Sequence, residues 1–263
     1  MIFGERRDYA VFMEERQEQI VVLLNRHGKV LVKELSEKFN VTEDCIRKDL
    51  AALEKKGLLK RTYGGAVSPR SNAHIFGVKG RKSENVAAKR AIASKAIDLI
   101  RENDMIFLDI STTNLEIAKL ILSENKTVTV VTNMAEAIQL FSRRCNVQLI
   151  SVGGVLDNAR DGFIGSMSIE SISKFKYDIS FLGVVGVNAF SNEAATYDVN
   201  DGMTKSAILR ASRRSYLLCE NRKFQMDGNY NYATLDAFSG IITESPPPHE
   251  ILDALKELDV EIL

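Results

Sequence analysis

Apolar positions in the first quarter of the chain recur at helical spacing. Ile20, Leu23 and Leu24 give the i, i+3, i+4 pattern of one helix face, and the HGK at His27 to Lys29 interrupts it with Gly28 at a suitable stop. A second short helix is predicted over VKELSEKF, ending at Asn40. Thr42 then offers an N-cap hydroxyl to a third, EDCIRKDLAALEKK, in which Ile46, Leu50 and Leu53 form one apolar stripe and which Gly57 closes. LLKRTYGGAV, from Leu58 to Val67, alternates weakly, but its Gly64-Gly65 pair suits positive φ and predicts a short hairpin or wing. Three helices and a wing make a small module of residues 1–67, with residues 1–12 as an extension before it.

SPRSNAHIFGVKG, from Ser68 to Gly80, has no periodicity and is rich in Ser, Pro, Asn and Gly, so residues 68–83 are expected to be a linker. Beyond it the pattern changes. MIFLD, VTVVT, VQLISV, ISFLGVV, SYLLC and GIIT are near-continuous apolar runs of the kind that parallel strands buried on both faces require, and helical patterns separate them. Residues 84–263 are therefore expected to form an α/β, Rossmann-like doubly wound domain that binds an effector and carries the oligomer contacts.

With 263 residues the chain has room for both units, and a formal net charge of zero excludes any whole-chain attraction to nucleic acid or membrane. Affinity for DNA must come from a local patch. Cys45, Cys145 and Cys219 are too few and too scattered for a disulfide framework or a zinc site. The N-terminus lacks the apolar run of a leader, and no stretch of about 18 apolar residues exists, so a cytoplasmic protein without a membrane partner is expected.

Two constellations carry chemistry. At the start of the third helix stand Thr42, Asp44, Cys45, Arg47 and Lys48; with the apolar stripe facing inward, Arg47 and Lys48 are expected to be free to meet DNA. The wing adds Lys60, Arg61 and Tyr63. From Arg47 to Arg70 seven cations (Arg47, Lys48, Lys55, Lys56, Lys60, Arg61, Arg70) face only Asp49 and Glu54, a phosphate-binding footprint. Lysines near a helix end often serve only to solvate it; the helix-turn-helix beside a basic wing favours DNA.

The second constellation is a strand, loop and helix in MIFLDISTTNLEIAKL. Asp109, Ser111, Thr112 and Thr113 lie where amide groups at a helix start, aided by its dipole, seat a phosphate or carboxylate. Asn133 ends the next strand, Gly153 and Gly154 permit close backbone approach, and Lys205 and Lys223 supply cations. The plainer reading of Ser or Thr at a helix start is a cap. His27, His74 and His249 are poorly placed for a catalytic base, and Asp109, Asp178 and Asp201 suit capping or hydroxyl recognition better than proton transfer.

VKELSEKFNVTEDCIRKDLAALEKKGLLKRTYGGA resembles the winged helix-turn-helix of the DeoR family of bacterial transcriptional regulators, with Cys45 and Lys48 standing where that family usually has Thr and Arg. Asp109, Ser111, Thr112 and Thr113 resemble its Asp-x-Gly-Thr-Thr ligand loop, with Ser for Gly. Thr132-Asn133, Gly153-Gly154, Phe163 to Gly165, Thr196 with Lys205 and Ala207, and Glu220 to Phe224 extend the likeness. The resemblance implies a homo-oligomer, dimer or tetramer, that binds operator DNA and responds to a small phosphorylated sugar, most often as a repressor of sugar-metabolism genes. It also implies a fold similar to ribose-5-phosphate isomerase, which leaves as a first alternative a sugar-phosphate isomerase or deaminase carrying a DNA-binding head; a second is a constitutive DNA-binding protein whose α/β domain serves only for assembly. Val184 and Val185 stand where such isomerases carry acids, and valine moves no proton. A regulator with no catalytic residues, metal or cofactor is expected.

Overall fold

The computed structural model describes residues 13–67, 78–142 and 146–263. The extension 1–12, residues 68–77 of the expected linker with Arg70 and His74, and Cys145 lie outside the described residues. The chain divides into two compact units, residues 1–69 and 70–263.

The smaller unit runs α1 (Met13–His27), β1 (Lys29–Leu31), α2 (Val32–Phe39), α3 (Glu43–Lys55), β2 (Lys60–Thr62) and β3 (Gly65–Val67). Asn40, at φ 52°, ends α2 in the left-handed region. Extended Thr42 then caps α3, its hydroxyl accepting from the Cys45 amide at 3.2 Å. Ile20, Leu24, Leu35, Ile46, Leu50 and Leu53 close one core between the three helices.

The HGK break is more than a stop. Lys29–Leu31 pairs with β3, so the expected hairpin is a three-stranded antiparallel sheet in the order β1-β3-β2. A three-residue strand has no periodicity to read, and its hydrogen bonds come from residues nearly forty positions away. The two wing glycines serve different needs. Gly64 takes φ +79°, whereas at Gly65 a Cβ would fall 2.0 Å from the Val30 carbonyl oxygen of β1.

Asp49, counted above as a charge opposing the basic patch, is buried on α3. Its carboxylate accepts from Arg16 Nε at 2.6 Å and from Gln17 Nε2 at 3.2 Å, both on α1.

In the larger unit come α4 (Val78–Ser83), α5 (Val86–Ile97), β4 (Met105–Leu108), α6 (Thr112–Ser123), β5 (Thr129–Thr132), α7 (Ala135–Phe141), β6 (Gln148–Ser151), β7 (Val155–Asp157), β8 (Gly162–Ile164), α8 (Ser166–Ser173) and β9 (Ile179–Gly183). Then follow β10 (Gly186–Asn188), β11 (Glu193–Thr196), α9 (Val199–Ala211), β12 (Ser215–Leu218), a 3-10 turn (Asn221–Gln225), β13 (Tyr230–Ala233), β14 (Gly240–Ile242) and α10 (His249–Glu257). The six apolar runs of the sequence are the six strands of one sheet, ordered β14-β12-β9-β4-β5-β6 and parallel at each pairing. Both faces are covered. Phe107, Leu182, Leu217 and Ile241 point into a core with residues of α8, α9 and α10; Ile106, Leu108, Phe181 and Leu218 point into another with residues of α5, α6 and α7.

From β4 the chain winds outward through β5 to β6, then returns to the other side of β4 as β9 and winds outward again to β12 and β14. This reversal opens a crevice beyond the C-terminal ends of β4 and β9, the place where such sheets bind ligands. The sequence pattern did not announce the antiparallel sheet β10-β11-β13 or the β7-β8 hairpin. Their strands are three or four residues long and carry no continuous apolar run. Residues 78–83 of the expected linker are helix α4.

Replacing Asp49 by Ala leaves the Arg16 guanidinium buried without its carboxylate. Loss of one partner of such a pair costs about 3–5 kcal/mol. Denaturant unfolding followed by circular dichroism is expected to show the smaller unit destabilised by that order while the larger unit's transition stays in place.

Candidate functional site

On the smaller unit, Thr42, Asp44, Arg47 and Lys48 at the start of α3 are exposed, as are Lys60, Arg61 and Tyr63 on the wing. Cys45 is only half exposed, its Sγ facing Arg16 Nη2 at 3.3 Å. The expectation that both α3 cations stand free needs correction. Arg47 is tied to Asp44 at 2.7 Å and to Glu43 on its own helix. A guanidinium three or four residues from a carboxylate on an exposed helix face closes on it by default. Arg61 is held likewise by Glu54 at 2.7 Å, and its backbone amide also donates to that carboxylate, which holds Glu54 below the usual carboxylate range. Lys56 reaches back to Gln17 at 3.2 Å. Lys48, Lys55 and Lys60 remain as exposed cations without an ion pair among the described residues.

On the larger unit the crevice is a cavity of about 610 Å³. Ser111, Thr112 and Thr113 form one wall at the start of α6, Gly183, Val184 and Val185 after β9 another, and Lys205 and Lys223 also line it. The Ser111 hydroxyl accepts from the Asn114 amide at 3.1 Å, so it is spent on capping, while the first amides of the helix have no intrahelical acceptor. Asp109 lies behind this wall, fully buried. Its Oδ2 accepts from the Gly183 amide at 3.0 Å and from Lys205 Nζ, and Lys205 lies 3.5 Å from Asp201 as well. Asp201 in turn accepts from Thr196 Oγ1 at 2.6 Å. Burial works against the Lys205 ammonium, but the two carboxylates prevail and its pKa is raised.

Besides Asp109, two expected residues do not reach the cavity. Asn133 is buried, donating from Nδ2 to the Phe163 carbonyl at 2.9 Å, which ties the end of β5 to β8. Gly153 presents its carbonyl to Ser168 Oγ at 2.9 Å, and a Cβ on Gly154 would fall 2.2 Å from that same oxygen. The close approach expected there is to α8 rather than to a ligand. Asp178 accepts from the Met105 amide at 3.0 Å, away from the cavity lining.

Several lining residues escaped the sequence reading: Arg81, Glu84 and Lys89 near the start of the unit, Asp157 and Arg160 on the β7-β8 hairpin, Tyr197 and Asp198 before α9, and Glu220 with Arg222 after β12. Only Glu220 and Arg222 fell inside a motif, ENRKF; the others needed the fold to bring them together. Most are paired with each other. Arg160 joins Asp157 and lies 3.8 Å from Asp198, and Arg222 reaches Glu84 at 2.8 Å and Glu220 at 3.1 Å. Lys223 is poorly compensated: Glu220 is 3.8 Å away, only 15% of its side chain is exposed, and burial lowers its pKa. Among the described residues no three His, Cys, Asp or Glu side chains gather as a metal site.

A winged helix-turn-helix unit and an α/β unit with a charge-lined crevice at its switch point define the class: a DNA-binding regulator with a sensor domain. The chain belongs to the DeoR family of transcriptional regulators. Residues 16–72 match the DeoR-like helix-turn-helix domain and residues 84–245 the DeoR C terminal sensor domain. Among similar proteins are the L-fucose operon activator of Haemophilus influenzae, 32% identical over 94% of this chain and 98% of its own, and the glycerol-3-phosphate regulon repressor of Escherichia coli, 28% identical over 94% and 97%. The lactose phosphotransferase system repressor of Staphylococcus epidermidis is 27% identical over 88% and 92%. A ribose 5-phosphate isomerase from Methanocaldococcus jannaschii overlaps 53% of this chain and 55% of its own at 19% identity and a TM-score of 0.39. The family is one of regulators, not enzymes, and Val184 and Val185 give the cavity an apolar wall.

An anion seated beside Lys223 holds its ammonium charged, so binding and protonation are linked. Above about pH 7.5 a phosphate monoester with a second pKa of about 6 is a dianion, and its charge no longer changes. The affinity for any phosphate monoester that seats there is then expected to fall as pH rises through the lowered pKa of Lys223, at pH values below those at which an ordinary lysine titrates. Lys223→Arg, charged throughout, is expected to flatten the profile. Calorimetric titration at stepped pH checks both.

Proposed function

We propose that the chain represses genes of sugar metabolism by holding operator DNA through α3 and the wing, and that a phosphorylated sugar in the crevice between β4 and β9 controls its grip. The observation that carries this is the convergence of Lys205, Lys223 and the start of α6 on one cavity. Helix-start amides and cations suit the phosphoryl group. The carboxylates Glu84, Asp157, Asp198 and Glu220 around the same space accept hydrogen bonds from sugar hydroxyls, and about 610 Å³ is the size of a small-molecule site. The relatives' names, which speak of a fucose operon, a glycerol-3-phosphate regulon and a lactose phosphotransferase system, support control of genes for sugars and related compounds.

On the DNA side Lys48 and Lys60 contribute charge, and Arg47 exchanges its exposed partners Glu43 and Asp44 for phosphate or base at little cost, since exposed ion pairs are worth about 0–1 kcal/mol. Fully exposed Tyr63 sits at the wing tip. One head meets one half-site, so the regulator acts as a homo-oligomer, dimer or tetramer. Support for a second copy comes from exposed apolar side chains on neighbouring elements: Met167 on α8 and Val199 and Met203 on α9, which pack on one another and on β8, and Leu156 on β7, the hairpin partner of β8.

A mobility-shift assay on the DNA upstream of the chain's own gene, repeated with a panel of phosphorylated sugars, tests the proposal. A specific shift relieved by one of them is expected; no specific shift defeats the operator part, and indifference to every phosphate defeats the effector part. Lys48→Ala is expected to weaken operator binding and lower the salt slope by about 1, the mark of one lost phosphate contact. Arg47→Ala is expected to cost about 1–3 kcal/mol of discrimination between operator and other DNA.

A further inference from the structure

Helix α4 is the first described element after residue 77, and it brings a side chain to the effector cavity. Arg81 lines that cavity, and its guanidinium has no ion pair among the described residues. It is also largely withdrawn from water, which lowers its pKa. Asp201 and, more weakly, Asp157 favour its charge from a distance, but Arg160 and Lys223 oppose it, so positive groups from α4, from the 3-10 turn and from the β7-β8 hairpin converge on one space. Buried charge short of partners is costly, and an anion entering the space removes that cost.

The helix itself is lightly held. Six residues are too few for a stable isolated helix, so α4 depends on what it docks against. One tether is Lys89 of α5, buried, whose Nζ donates to the Arg81 carbonyl and to the Glu84 carbonyl at 2.7 Å. Another is the Lys82 to Glu136 ion pair with α7.

We propose that Arg81 grips the phosphoryl group of the effector with its two-pronged guanidinium and so fixes α4, the segment through which the sensor unit continues, by way of residues 68–77, from the DNA-binding unit. The inference rests on the cavity being an anion site, as proposed above. A guanidinium is the side chain suited to this task, because its planar fork meets two phosphate oxygens at once. Binding energy spent on Arg81 is delivered to backbone, since its carbonyl and side chain belong to the same short helix. Ligand occupancy is thereby communicated to the chain segment between the units by covalent continuity.

The test uses the full chain with inorganic phosphate, following thermal stabilisation for binding and amide hydrogen exchange in residues 78–89 for the state of α4. Phosphate is expected to stabilise the wild type and to slow exchange in that segment. Arg81→Ala, which leaves the Lys89 bonds to backbone carbonyls intact, is expected to weaken phosphate binding by at least about tenfold and to abolish the slowing even at saturating phosphate. Arg81→Lys, with charge but no fork, is expected to recover part of the affinity and guards against a folding defect. Equal affinity and equal slowing in Arg81→Ala would overturn the role of Arg81 while leaving the cavity reading intact. Absence of any phosphate effect on the wild type would overturn both, which separates the two failures.

Discussion

The larger unit is organised around a carboxylate withdrawn from water. Asp109 follows β4, accepts the Gly183 amide at the end of β9, and receives Lys205 from α9, so one side chain joins the two strands flanking the switch point to the helix that covers them. Breaking one partner of such a pair strands the other charge in the interior, which fixes the geometry far more firmly than the net worth of the pair suggests. Asn114 adds to the lock by donating to the carbonyls of Asp109 and Phe181, each at 2.9 Å. The mouth of the crevice is thereby held open as a shape before any ligand arrives.

Around this rigid floor the charges are nearly balanced but unevenly satisfied. Lys205 and Arg222 each have two carboxylates and Arg160 a close one, whereas Lys223 has only the distant Glu220, and Arg81 makes no ion pair among the described residues, with Asp201 and Asp157 favouring it only from a distance. An anion gains most from the groups that lack partners. Specificity and response therefore need not reside in the same side chains: the well-paired groups set the shape, and the poorly paired ones supply the electrostatic demand.

The six sheet strands were legible because burial on both faces makes each a continuous apolar run, and the helix-turn-helix was legible because Thr42 and the stripe of Ile46, Leu50 and Leu53 mark α3 locally. What was not legible depended on long-range geometry. β1 exists only by pairing with β3, Asp49 is a buried tie to Arg16 and not a surface anion, and Asn133 and Gly153 are strand-end residues that pack on β8 and α8. At the cavity, Ser111, Thr112, Thr113, Lys205 and Lys223 were found because they follow apolar runs or sit in compact motifs. Arg81, Arg160 and Tyr197 were missed because lone polar residues in short connecting stretches carry no periodic signal, and only the switch point brings them to one place.

If the two units are joined by a coupling free energy, that coupling must be reciprocal: whatever factor the effector exerts on operator affinity, operator must exert on effector affinity. The direct measurement is calorimetric titration of the effective phosphorylated sugar into the intact protein, alone and saturated with operator duplex. The account predicts that the sugar's dissociation constant changes by the same factor by which the sugar changes the operator's. An identical dissociation constant with and without DNA would contradict it, because the cavity would then have no influence on the reading head.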